Sequence, residues 1–151
     1  MDRRSGDNEL ARVVRACIGI GGYAYDKVKA KVSIYIFSEI CKQLKTIISS
    51  IIKDKILSST FSEWGALLIH EEVLCMITVF DEIDDNGDNN NRSIFDPLIW
   101  ILKILTIDQP ADLLRYKIPK AYLDDTLTRQ IMASRTDLSK DAISRVKINI
   151  E

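Results

Sequence analysis

Histidine is nearly absent: His70 is the only one in 151 residues. That excludes a zinc site built on a histidine pair, although His70-Glu71-Glu72 opens like H-E-x-x-H, because position 74 is Leu. No apolar run approaches the roughly 20 residues a membrane helix needs. The nearest, Val73–Phe80, is short and contains Thr78. Met1–Leu10 is polar and charged, with no apolar core segment, so no signal peptide is expected. Cysteine is scarce as well. Cys17, Cys41 and Cys75 lie far apart and inside apolar patterns. Buried, reduced thiols in a cytosolic-type compartment are expected in preference to a disulfide framework. Finally, no excess of one charge exists: 21 basic residues face 22 acidic ones, for a net charge of −1. Such balance lacks the basic footprint of a nucleic-acid-binding protein.

What is present points to one folded helical domain spanning 1–151. Hydrophobic residues make up 46% and charged residues 28% of the chain, enough for a core at this length. Leu10, Val13, Val14, Cys17 and Ile18 fall at helical spacing and predict an amphipathic first helix. Phe37, Ile40, Cys41, Leu44, Ile47, Ile48, Ile51 and Ile52 form a long apolar stripe of 3.6 period, with Lys42, Gln43, Lys45 and Lys53 off it. It predicts one long helix or two or three shorter ones, with Ser49-Ser50 a possible break. Ser62 is placed to cap a helix running through Phe80. That helix becomes apolar nearly all round, which predicts a central place in a bundle. Asp96-Pro97 reads as a cap followed by a first-turn proline. Pro110 and Pro119 punctuate two further short helices, the second near Lys120–Ser134. Ser134–Glu151 reads as a polar surface tail, with a last surface helix at Ser139–Val146. The 23 isoleucines favour strands somewhat, but the helical period outweighs them, so the expected class is all-α.

Two further motifs look like chemistry and fail on inspection. Gly19–Ala24, "GIGGYA", fits the loose dinucleotide fingerprint, yet "ARVVRAC" before it has helical spacing where a buried strand is required. Glu82–Ser93 resembles a calcium loop with Gly87 at its turn. It has Glu82 at the first ligand position and Ser93 where a bidentate glutamate belongs. No serine sits in a nucleophile-elbow motif, and cysteine–histidine catalysis would need an exposed cysteine. No catalytic residue, metal or cofactor is expected.

"TFSEWGALLIHEEVL", Thr60–Leu74, sets a tryptophan beside a glycine at the mouth of a helix. Glu63-Trp64-Gly65-Ala66 and the apolar run after it resemble the first homology motif of the Bcl-2 family, roughly Asn-Trp-Gly-Arg. "IISSIIKDKILSSTFS" fits the helix and turn before that motif, and "ELARVVRACIGIGGYA" fits the family's amphipathic N-terminal helix. Ile34-x-x-x-Ser38-Glu39 echoes the third motif. The resemblance covers Glu9 to Phe80 in outline. It implies a Bcl-2-like bundle around a central apolar helix, with no enzymatic activity. The implied function is inhibition of apoptosis, by holding the death-promoting helix of a Bim-like or Bax/Bak-like partner in an apolar groove. Trp64 would then be a core anchor, and Leu44, Ile48, Gly65 and Ala66 would flank the groove. The family's arginine is here Ala66 and its asparagine Glu63, and no clear second motif follows. A short, divergent chain without a membrane tail is most like a virus-encoded member. Its implied location is the host-cell cytoplasm, peripherally at mitochondria. Self-association as a homodimer, or as a helical homo-oligomeric interaction protein without a groove, is the alternative.

Overall fold

The computed structural model describes Arg12, Arg15, Ala16 and Gly19, residues 34–83 and residues 94–151. Arg12, Arg15, Ala16 and Gly19 are helical, and the Arg15 guanidinium donates to the Glu72 carboxylate at 2.9 Å. The apolar face expected of this first helix, Cys17 included, lies outside the described residues. Among the described residues there are helices and no strand, only two isolated bridges. The expected all-α class holds.

Helix α1, Ile34–Ser58, is unbroken. Ser49-Ser50 does not interrupt it, because serine costs a helix interior only a few tenths of a kcal/mol. Phe37, Cys41, Lys45, Ile48, Ile52 and Ile56 are buried at spacings of three and four, so they form one face. Lys45 is the surprise. It was expected on the polar side, yet it is 1% exposed, with its Nζ 3.7 Å from an Asp81 oxygen and 6.0 Å from the Phe95 ring centre. Its stem fills the core as a methylene chain while the ammonium reaches the half-buried Asp81. Lys45→Ala should therefore lower stability by about 2–4 kcal/mol through lost volume. Lys45→Met, which keeps that volume, should cost under about 1.5 kcal/mol. Urea unfolding of the two variants measures the difference.

Helix α2, Glu63–Ile83, starts where Ser62 predicts. Gly65 N–H donates to Ser62 Oγ at 3.0 Å and Ala66 N–H to the Ser62 carbonyl at 2.9 Å. Its buried line is Ala66, Ile69, Val73, Met76, Ile77 and Phe80. The opposite face, with Leu67, Leu68, Glu71, Cys75 and Thr78, is exposed. The expectation of a central helix at Glu63–Phe80 is thus corrected: α2 is amphipathic. Cys75 is likewise exposed, while Cys41 is buried as expected.

The central position belongs to α3, Asp96–Leu105, which packs against α1, α2 and the later helix α4, Asp125–Ala133. Leu98, Ile101, Leu102, Ile104 and Leu105 are all buried. The reason is charge. Helix α2 carries Glu63, Glu71 and Glu72, which need water, whereas past its first residue α3 carries only Lys103. Asp96 does not cap its helix; Phe95 holds that place, and Tyr122 OH donates to the Asp96 carboxylate at 3.3 Å.

A 3-10 helix at Pro110–Arg115 is closed by a reciprocal Gln109–Asp112 capping box. Asp124 caps α4, with Leu127 N–H donating to Oδ1 at 2.7 Å, and Ser139 caps α5, Lys140–Arg145. The segment expected as a surface tail is built into the fold instead. Ser134, Arg135 and Ile143 are buried. Residues 149–151 return to 118–120, with Ile118 N–H donating to Asn149 O at 3.0 Å and Glu151 N–H to Ile118 O at 2.9 Å. Lys117 closes the pairing with an ion pair to Glu151 at 2.7 Å, which holds its ammonium pKa above the usual lysine value.

Candidate functional site

The phase of α2 decides what the tryptophan–glycine pair does. Ala66 must face inward with Ile69 and Val73, and Trp64 lies about 200° away around the helix. Trp64 is accordingly 80% exposed and is not a core anchor. Ala66 is 0% exposed and Gly65 is buried. Ile48 is buried in the inward line of α1, and only Leu44 is half-exposed. The four residues expected to flank a groove therefore divide: Leu44 reaches the surface, while Ile48, Gly65 and Ala66 offer none to a partner.

The turn before α2 is held from the opposite end of the chain. Phe61 is fully buried; its N–H donates to Ser134 O and its carbonyl accepts from Thr136 N–H, both at 2.8 Å. Between them Arg135, 3% exposed, donates from Nη1 to Leu105 O at 2.7 Å and to Ile107 O at 3.3 Å. Its Nε and Nη2 pair with both Asp137 oxygens at 2.7 and 2.6 Å. The carbonyls at the end of α3 lack partners within the helix, and the guanidinium supplies them. The Arg135 hydrogen bond lowers the Asp137 pKa below the usual carboxylate value. Arg135 itself is pushed up, first by that hydrogen bond, against its burial.

Among the described residues, the longest row of apolar side chains with exposed members is on the outer side of α1. Ile36, Ile40, Leu44, Ile47 and Ile51 recur at spacings of four, four, three and four. Ile47 is 54% exposed, and Ile36 and Ile51 are also exposed. A cleft of about 330 Å³ is lined by Ile36, Glu39, Ile40, Gln43, Leu44 and Ile47. That size falls at the low end of clefts that take ligands, roughly 300–1,000 Å³. Gln43 Nε2 donates to Glu39 at 3.0 Å, fixing the polar edge. The sequence held a signal for this face that periodicity alone passes over. The adjacent pairs Ile40-Cys41, Ile47-Ile48 and Ile51-Ile52 make the stripe too wide for one packing partner: the second member of each pair is buried and the first is not fully covered.

Two other features stand apart. Trp64, Leu67 and Leu68 form a small exposed apolar patch on α2. Around Trp100, Tyr116 packs edge-on at 6.5 Å and Lys103 Nζ sits 4.7 Å over the ring.

For chemistry, the described residues offer little. No group of three or more His, Cys, Asp or Glu is placed to hold a metal among them. His70 is partly exposed, with Nδ1 3.6 Å from Glu71, as expected of a helix-surface histidine. Cys75 lies five residues on, about 140° around the helix, so the two do not meet as a dyad. In the calcium-like loop all ligand positions after Glu82, residues 84–93, lie outside the described residues, as does the glycine cluster beyond Gly19. No described helix is long and apolar enough to cross a membrane. No family model and no curated protein matches the chain.

Proposed function

We propose that the protein works by occupancy, sequestering an amphipathic helix of a partner on the open face of α1. The observation that carries this reading is the apolar cleft along Ile36, Ile40, Leu44 and Ile47, with its polar edge at Glu39 and Gln43. An exposed row at helical spacing is complementary to a second helix, whose large side chains would each contribute roughly 1.5–3 kcal/mol when fully buried. No bond is made or broken. The finer reading rests on the Bcl-2-like stretch around Trp64-Gly65: the bound helix is the death-promoting segment of a pro-apoptotic protein, and holding it blocks apoptosis. A virus-encoded inhibitor acting in the host-cell cytoplasm is the corresponding biological setting.

The exposed Trp64–Leu67–Leu68 patch favours a second reading, a homo-oligomer without a peptide site. Titrating death-helix peptides into the full chain by calorimetry separates the two. Binding that falls at least tenfold in Ile47→Asp, with helicity kept, is the expected result. Absence of binding at high micromolar peptide, together with a dimer dispersed by Trp64→Glu, would move the function to the second reading.

A further inference from the structure

We infer that the helix bound on α1 carries basic residues along its flanks; this rests on the occupancy reading above and specifies its ligand. At about 100° per residue, the apolar row from Ile36 to Ile51 covers some 80° of α1. One edge of that row adjoins the buried face that packs on the core. Along the other edge run Glu39, Gln43, Ser50 and Asp54, with exposed carboxylates near both ends of the row. Lys42 and Lys53 lie farther round, about 100° or more beyond that edge, and partly buried Lys55 stands beside the opposite, core-facing edge. A partner helix seated on the row therefore meets two negative charges on its solvent side, at the rim of the contact. Rim charges of this kind select partners and set encounter rates.

The same arrangement argues against a second copy of the chain as occupant. Antiparallel pairing of two α1 helices brings like edges together, which sets Glu39 of one copy beside Asp54 of the other. Parallel pairing turns the acidic edge toward the side where the partner's own core blocks approach. A helix from another protein, with arginine or lysine beside its apolar stripe, meets neither obstacle.

The test uses two synthetic helical peptides with identical apolar faces, one with arginine on both flanks and the other with glutamate. Anisotropy titrations with the full chain should show the arginine peptide binding roughly tenfold tighter at low salt, a gap that narrows in 0.5 M salt, on the order expected for two exposed charge pairs. Glu39→Lys with Asp54→Lys should reverse the preference while circular dichroism stays unchanged. Ile47→Asp should abolish binding of both peptides. If wild type binds the two equally and Ile47→Asp still abolishes binding, the charge inference is wrong and the cleft stands. If neither peptide binds, or if Ile47→Asp changes nothing, the occupancy reading falls and this inference with it. A dimer in sedimentation that Ile47→Asp disperses would give the face to a second copy and overturn the proposal.

Discussion

Ala66→Arg is expected to destabilise the protein by about 4 kcal/mol or more, enough to remove much of a typical folding stability of roughly 5–15 kcal/mol. Ala66 is fully buried one turn before Ile69 and belongs with it to the main core cluster. A guanidinium there must be desolvated without a partner, and its stem must displace packed side chains, which alone costs roughly 1–3 kcal/mol. This variant also separates the two meanings of the position. If 66 flanked a groove, restoring the family's arginine would leave stability near wild type and widen the range of peptides bound. Chemical denaturation read beside a peptide panel distinguishes these results. A folded Ala66→Arg protein with unchanged midpoint would overturn the core placement.

Arg135→Ala should cost about 2–4 kcal/mol, chiefly because two carbonyls at the end of α3 are left without a donor. The loss has two parts: Leu105 O and Ile107 O lose their donors, and Asp137 loses the cation that holds its carboxylate. Arg135→Lys should recover little of it, because one ammonium cannot serve two carbonyls and a bidentate carboxylate at once. The pair also gives stability a pH dependence. The folded pKa of Asp137 lies below the ordinary value of 3.8, so its contribution is present above that value. It is lost as the pH falls through the lower folded value. In Arg135→Ala this component of acid sensitivity should disappear, so the gap between wild type and variant should narrow as the pH falls below about 4, while the part owed to the two carbonyls remains. Urea midpoints measured between pH 7 and pH 3 test both the magnitude and the narrowing. A constant gap across that range would mean that the carbonyl bonds carry the whole effect.

The turn that Arg135 secures is the one leading into Trp64-Gly65, where a local signal and a long-range one meet. Ser62 was legible as a cap because capping is local: a hydroxyl, three residues and a free N–H suffice. Ser139 was legible as a cap for the same reason, and Pro97 as a first-turn proline, whereas spacing alone left open whether the stretch through Phe37 and Ile52 is one helix or several. The burial of Lys45 was not, since it depends on Asp81 and Phe95, which approach from 36 and 50 residues away. Nor was the role of Arg135, whose partners Leu105 and Ile107 lie 30 and 28 residues earlier in the chain.

The candidate site divides along the same line. The sequence by itself determined that α1 carries a long apolar stripe, and that a capped helix opens at Ser62. Both follow from side-chain spacing within a single helix. Which half of each stripe faces inward was decided only by the tertiary structure. Helix α3, with a single charge past its first residue, takes the centre, and α1 and α2 turn their best-fitting lines toward it. That rotation buries Ile48 and Ala66 and leaves Ile47 and Trp64 in water. A rotation of about 100° separates adjacent residues on a helix, and no local pattern fixes it, because the free energy that selects it comes from burial against other segments.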